Sequence, residues 1–367
     1  MMQSSIQSQG SNHPEVLHVP PLDQEHEIVN HILKITQSSG LLVDSRSMTN
    51  LYIGLKSNPL IIIAGPTHTG KIAAVQTLAK GLIGVDPLRC QMMVGHSWWV
   101  NEHTDAVLFV ETQTRWNSNK IFDLIEEASL PENAQRMYIA CLTRISPAEL
   151  NEFFSEVAFQ LRHNELIRIS SMHITEPLHF PKNMFLIGTM DVRQFKWLDE
   201  DLASKASLIH WNPVENDNLD LSTGNEPLIN SEKTFLSACL RNVQIAFQKL
   251  YLILRNQPQA FFPLFQTAIV LKRHKILMPN SVIQSAMVYI ANSWSTNGTG
   301  LFSRDTSTNL NIALDLAISQ TLLMPVEDKL ADSAILRKNL ISIFRDRFPQ
   351  SGNLIRNLGL GFDPILI

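Results

Sequence analysis

The chain has 367 residues, 44% apolar and 17% charged, which excludes a largely disordered protein and suits two packed units. A formal charge of −4 and a pI near 6.3 exclude an overall basic field, so net charge does not call for nucleic acid. Cys90, Cys141 and Cys239 form neither a C-x-x-C pair nor an even disulfide set, which is the usage of a reducing cytoplasm. The start, MMQSSIQSQGSNH, has no basic or apolar region of a signal peptide, and the longest strongly apolar run, PLIIIAG, is far too short to span a bilayer. A cytoplasmic location without membrane involvement is therefore expected.

In chain order, residues 1–22 are rich in Gln, Ser, Asn and Pro and read as a disordered leader. Helical spacing of Ile28, Val29, Ile32, Leu33 and Ile35 predicts a helix over 23–38, and a second short one covers 47–56, so 23–57 form N-terminal helices. LIIIAG (60–65) is a continuous apolar run bounded by Pro59 and Gly65, the pattern of a strand buried on both faces of a parallel sheet. KIAAVQTLAKGL follows as a helix. CQMMVG (90–95), RMYIACL (136–142), NMFLIGTM (183–190) and ASLIHW (206–211) read as four further strands, with IFDLIEEAS (121–129) as a helix. SPAELNEFFSEVAFQLRHNE opens with an N-cap at Ser146, Pro147 at the first helical position and Glu149 completing a capping box. LIRISSMHITEPLHF reads as a hairpin. Strands alternating with helices indicate a parallel α/β core over 58–212. The polar, turn-rich stretch 213–230 is a linker. Beyond it, 231–367 reads as a helical lid, with helices at 231–255, 280–294, 308–324 and 333–346.

The chemistry concentrates at GPTHTGKI, residues 65–72, between the first strand and its helix. Gly-x-x-x-x-Gly-Lys is the outline of a phosphate-binding loop. The pattern alone is weak; its strand–loop–helix setting strengthens it. Gly65 and Gly70 permit the tight backbone that turns N–H groups inward around Pro66, Thr67, His68 and Thr69, and the helix start favours an anion. Lys71 has the reach for β- and γ-phosphates. Ile72 stands where a Ser or Thr would hold Mg²⁺, and packing against the sheet is its expected role. His68 reads as an exposed loop histidine. A working ATPase also needs acids at the end of the third strand, one for the metal and one to activate water. That strand runs Ile139-Ala140-Cys141-Leu142, and Cys141 reads as a buried structural thiol with no evident base beside it.

These residues together resemble a AAA+ module of the type found in the nucleotide-hydrolysing subunit of methylcytosine-specific restriction systems and related prokaryotic defence ATPases. GLLVDSRSMTNLYIGLKSNPLIIIAGPTHTGK resembles the family's entry helix, first strand and Walker A loop. VGHSWW, with Trp98, is similar to its V-x-P-D-W segment, and FPKNMFLIGTMDVRQFKWLDEDLASKASLIHW is the closest match. LDLAISQTLLMP and FPQSGNL resemble parts of its lid. The resemblance implies a five-stranded parallel AAA+ P-loop core with a C-terminal helical lid. It also puts the family's Walker B acids on Ala140 and Cys141, its sensor Asn on Asp191 and its arginine cluster on Ala203, Ser204 and Lys205. Each departure removes metal binding or hydrolysis, while the fold-bearing residues are kept.

The expectation is a pseudo-ATPase: a structural or interaction subunit of a homo- or hetero-oligomeric, defence- or restriction-type assembly. Its partners would be a AAA+ paralogue, a nuclease or another effector. ATP or GTP could still sit on Lys71 and the loop amides, with Mg²⁺ binding not expected. The competing readings are an active ATPase or GTPase driving DNA translocation for a nuclease, and a DNA-binding adaptor working through LKRHK (271–275), with Lys272, Arg273 and Lys275 in a solvated loop. Glu102, Asp105 and Glu111 are the acids available to replace the missing pair. Trp98 and Trp99 read as packing residues, His163, His173 and His179 as scattered polar surface, and GFDPILI as an apolar tail docking on its own lid or on a partner.

Overall fold

Two-residue periodicity in burial organises the centre of the molecule. Alternate strand residues such as Ile61, Ile63, Ile139, Phe185 and Ile187 point into one core, while Leu60, Ile62, Tyr138, Leu142 and Leu186 point into another on the opposite face. The structure is a computed structural model and describes residues 23–94, 120–147, 150, 180–191, 202, 205–211, 230–255, 257–344 and 347–359. Five strands lie in it: β1 (Leu60–Gly65), β2 (Cys90–Val94), β3 (Tyr138–Thr143), β4 (Met184–Asp191) and β5 (Ser207–His210). They pair in the order β2-β3-β4-β1-β5, every ladder parallel. The expected α/β class and five-stranded parallel sheet are therefore present, each strand within two residues of its predicted limits.

The helices before and within the sheet region are α1 (Gln24–Ser38), α2 (Ser45–Ser57), α3 (Lys71–Ile83) and α4 at residues 120–129. Asp23 and Asp44 cap the first two with side-chain carboxylates. α4 covers the second face of the sheet through Ile121, Leu124, Ile125 and Ala128. α2 is buried from Met48 through Lys56, so it is an interior helix with no solvent face. After the sheet come α5 (Ser231–Ala238), α6 (Val243–Leu254), α7 (Phe262–Arg273), α8 (Asn280–Asn292), α9 (Thr306–Ala317), α10 (Glu327–Asp332), α11 (Ala334–Phe344) and α12 (Pro349–Gly359), of which α5 and α8 pack on α2.

Three readings of this helical part change. Residues 231–255 are two helices, broken at 239–242, where Asn242 caps the second by accepting from the Ile245 amide. The predicted helix 308–324 passes through a π-turn at Ile318–Leu323. α7 and α12 were not foreseen, and LKRHK is the last turn of α7 and its exit rather than a free loop: the His274 N–H closes on Val270 and Leu271. The leader, the predicted helix after Ser146, the hairpin, the linker, Trp98, Trp99, Glu102, Asp105, Glu111, His163, His173, His179, Ala203, Ser204 and GFDPILI lie outside the described residues, apart from Pro147, Leu150, the hairpin's final Phe180 and the linker's final Asn230. Among the described residues no helix is long and apolar enough to cross a membrane.

One ionic node fastens the C-terminal helices to the N-terminal ones. Glu25 of α1 and Lys56 of α2 form a salt bridge of 2.6 Å with both side chains at 0% exposure. Lys56 also donates to the Asn292 carbonyl at 3.2 Å, Tyr52 donates to Glu25 Oε1, and Glu25 Oε2 accepts from the Thr296 amide at 2.8 Å. A second buried contact runs through Asn50, whose Oδ1 accepts from Tyr289 at 2.5 Å and Gln320 at 2.9 Å. Because a buried carboxylate without its cation carries the full desolvation penalty, Lys56→Ala should lower stability by about 3–5 kcal/mol. The paired change Glu25→Gln with Lys56→Met should recover most of it; chemical denaturation of the three proteins checks this.

Candidate phosphate-binding loop

The loop leaves β1 at Gly65 and enters α3 at Lys71, at the edge of the sheet formed by the strands' C-terminal ends. β1 lies between β4 and the edge strand β5, so the loop sits over the β4–β1 side of the sheet, where crossover connections diverge and ligands tend to bind. Gly65 is required by its neighbour: a Cβ there would lie 2.2 Å from the Trp211 carbonyl oxygen. Gly70 has φ +77° and caps α3 in a left-handed conformation, with no side chain bonded to the first-turn amides. His68 is also left-handed, at φ +63°, and exposed with Pro66 and Thr67, while Thr69 is half-buried and donates to the Pro66 carbonyl at 2.8 Å.

Trp211 was missed as a loop residue. It is 1% exposed, its amide donates to Ala64 O at 2.7 Å, and its indole Nε1 donates to Thr69 O at 2.8 Å. The signal was present in the sequence. An indole N–H that is buried needs an acceptor, and a Trp closing the strand beside β1 faces the loop's carbonyls.

Lys71 turns back into its own loop. Its ammonium donates to Gly65 O at 2.9 Å and to Pro66 O, with Thr69 Oγ1 at 3.5 Å. Burial pushes its pKa down to about 8, opposed by the negative charge of Asp191. Asp191 ends β4 directly opposite Gly65 in the β1–β4 ladder. The structure therefore joins Asp191 to the loop, as the sequence suggested, and gives it a role beyond repulsion: it supplies part of the counter-charge that a phosphate would otherwise bring.

The other expected positions fall elsewhere. Ile72 is only half-buried and joins neither core, so it does not pack against the sheet as expected. Ala140 and Cys141 pair with Leu186 and Ile187, four to five residues short of Asp191 on β4. At about 3.3 Å per residue they lie roughly 13–17 Å below the loop, in mid-sheet. Cys141 is fully buried and its thiol pKa is raised by burial, which removes it as a nucleophile. The β3–β4 ladder ends at Leu142 opposite Gly188, and Thr143 and Arg144 follow it, one strand beyond β4 from the loop's own strand. Thr143 donates to Met93 O at 3.2 Å, and Arg144 is exposed, left-handed at φ +55°, with its amide donating to Thr189 Oγ1 at 3.1 Å. Lys205 lies at the opposite end of the sheet, where its carbonyl accepts from Asn58 just before β1. It takes no part in this loop.

The arrangement can hold an anion: a partly desolvated ammonium, uncapped helix amides and a fixed glycine turn converge on one place. It offers no hydroxyl at position 72 and no carboxylate at the end of β3. No family model, curated protein or solved structure matches the chain.

Two outcomes test this geometry. Trp211→Phe keeps the buried ring but strands the Thr69 carbonyl, and should lower stability by about 1–2 kcal/mol, whereas Gly65→Ala should cost more because backbone must move. The Lys71 charge is disfavoured in the folded state, so the unfolded chain binds more protons between pH 8 and the ordinary lysine value. Stability should rise with pH across that window. Lys71→Met should lose this pH dependence, which melting temperatures measured from about pH 7 to 10 on both proteins would show.

Proposed function

We propose that the chain is a catalytically degenerate P-loop module of the AAA+ type, acting as a structural or interaction subunit of a larger assembly. Its loop holds a phosphate-bearing ligand weakly and without metal. The observation that carries this reading is the state of Lys71. Its ammonium is seated on the loop's own carbonyls and partly balanced by Asp191, so the loop is self-satisfied. Every group that hydrolysis would add is replaced. A hydrocarbon stands at Ile72, β3 ends in Thr143 followed by Arg144 rather than in acids, and Ala140 and Cys141 are sealed in mid-sheet.

Losing one transition-state contact such as an arginine finger is worth roughly 10³-fold or more in rate. Metal ligand, base and sensor are all substituted here, which supports a role carried by shape. The partners in keeping with such a role are a AAA+ paralogue, a nuclease or another effector of a restriction- or defence-type system, with ATP or GTP as the loop's ligand.

Titration with fluorescent ATP and GTP analogues, with and without Mg²⁺, tests this directly. Weak binding that ignores magnesium and disappears in Lys71→Ala is expected. Asp191→Asn should bind about fivefold tighter through the loss of one opposing charge, assayed at about pH 6 because losing Asp191 lowers the Lys71 pKa further. Magnesium-dependent hydrolysis by the pure chain that vanishes in Lys71→Ala would sink the proposal and restore the motor reading.

A further inference from the structure

The helical region carries a charge pattern unlike the rest of the chain. Between Glu232 and Asp305 there is no Asp or Glu in 72 residues, where the chain's average of 34 in 367 would place about seven. The same stretch holds eight Lys and Arg, so the remainder of the chain, with 22 cations against 34 acids, is net −12. Lys233, Arg255, Lys272, Arg273, Lys275 and Arg304 of this stretch are exposed.

The apolar surface of the same region is equally unusual. α7 presents Phe262, Phe265 and Ile269 to solvent at 59%, 44% and 50%, spaced three and four residues apart, and the stripe ends in Lys272 and Arg273. Lys275 and the 80% exposed Leu277 continue it. α6 repeats the design. Ile245, Phe247, Tyr251 and Leu252 are exposed, the last two at 74% and 71%, and Arg255 follows one turn later. An open groove of about 450 Å³ lies along that face between Phe247, Gln248, Tyr251 and Leu252. Buried Ala246, Leu250 and Leu254 on α6, and Leu264 and Leu271 on α7, hold the opposite sides of these helices in the core. The exposed stripes are therefore second apolar faces, beyond what the fold needs.

We propose that the outer faces of α6 and α7 dock on an anionic lipid surface. Excluding every carboxylate from 72 residues answers an extended sheet of negative charge, whereas a single protein partner requires only local complementarity. Nucleic acid is such a polyanion too, but the aliphatic residues Ile245, Leu252, Ile269 and Leu277 have nothing to stack on or pair with there, and acyl chains accept them directly. Apolar side chains entering the interface with Lys and Arg at the headgroups is the chemistry of surface-lying amphipathic helices. The expectation that no membrane is involved rested on the lack of a spanning segment, which surface docking does not need. This inference is independent of the phosphate loop.

Co-sedimentation of the full chain with vesicles tests it, using phosphatidylcholine mixed with phosphatidylglycerol against phosphatidylcholine alone. Binding should favour the anionic vesicles by at least about tenfold and weaken as salt rises. Phe262→Ser with Phe265→Ser, Tyr251→Ser with Leu252→Ser, and Lys272→Gln with Arg273→Gln should each weaken it by about tenfold, since each removes apolar burial or roughly two headgroup charges. All six side chains are exposed, so unchanged circular dichroism and melting temperatures are expected of the variants. Equal binding to both vesicle types, no binding to either, or variants that bind like the parent would overturn the proposal. So would salt-sensitive retention of a DNA fragment through Lys272 and Arg273 without vesicle binding, which would assign the surface to nucleic acid.

Discussion

The contact on which the rest of the structure depends is the buried pair of Glu25 and Lys56. Neither charge reaches solvent, and neither could be left inside without the other and its hydrogen bonds. Their bonds tie α1 and α2 to each other and to α8 and the turn after it. Tyr52 shares α2 with Lys56, Thr296 comes from the turn after α8, and the Asn292 carbonyl comes from the end of α8 itself. Replacing such a pair with apolar groups is often neutral for stability. What the ions add is uniqueness: α1, α2 and α8 satisfy these groups in only one mutual arrangement. The sheet, the loop and the outer helices inherit their positions from that arrangement, because α2 packs on β5 and α8 packs on α2.

The sheet was legible because strands buried on both faces, β1, β3 and β4, leave unbroken apolar runs, and the shorter edge strands β2 and β5 are still apolar runs bounded by polar turns. The loop was legible through Gly65, Gly70 and Lys71, whose spacing follows from backbone geometry. The helical region was less so. Phe262 through Arg273 escaped notice because its apolar residues occupy both faces, which erases the single-sided periodicity that marks a surface helix. Pro349 through Gly359 is rich in polar residues and glycine, and is held by a tertiary contact instead. The buried Asp315 carboxylate accepts from the Gln350 and Ser351 amides at 2.8 Å and so caps that helix from α9. Nothing in the local sequence announces a cap supplied from 35 residues away.

Register is a further quantity that pattern cannot supply. A resemblance placed two lost acids on Ala140 and Cys141, and the ladder of β3 against β4 sets those residues in mid-sheet, level with Leu186 and Ile187. The strand continues through Leu142 and Thr143 before it turns at Arg144, whose left-handed backbone makes the corner. A run of six buried residues has no internal mark for where the ligand-facing edge lies. The chemical consequence is unchanged: β3, one strand beyond β4 from the loop, ends in a threonine followed by an arginine, so the charge at that corner is positive rather than negative.

That change in sign bears on what the loop is for. A hydrolytic site places carboxylates around the phosphates so that a divalent cation can bridge them. On the proposed reading, a phosphate in the loop would meet the Lys71 ammonium, with Asp191 opposing it and no carboxylate at the end of β3 to help hold a metal. Cyclic motion would also be costly. Moving the C-terminal helices away from the sheet would break the Lys56–Asn292 and Asn50–Tyr289 bonds and expose an ion pair that is fully sealed. A machine driven by hydrolysis would have to overcome that penalty, of order several kcal/mol, in every turnover. A scaffold that presents fixed surfaces has no such step, and both the self-satisfied loop and the locked helices favour it.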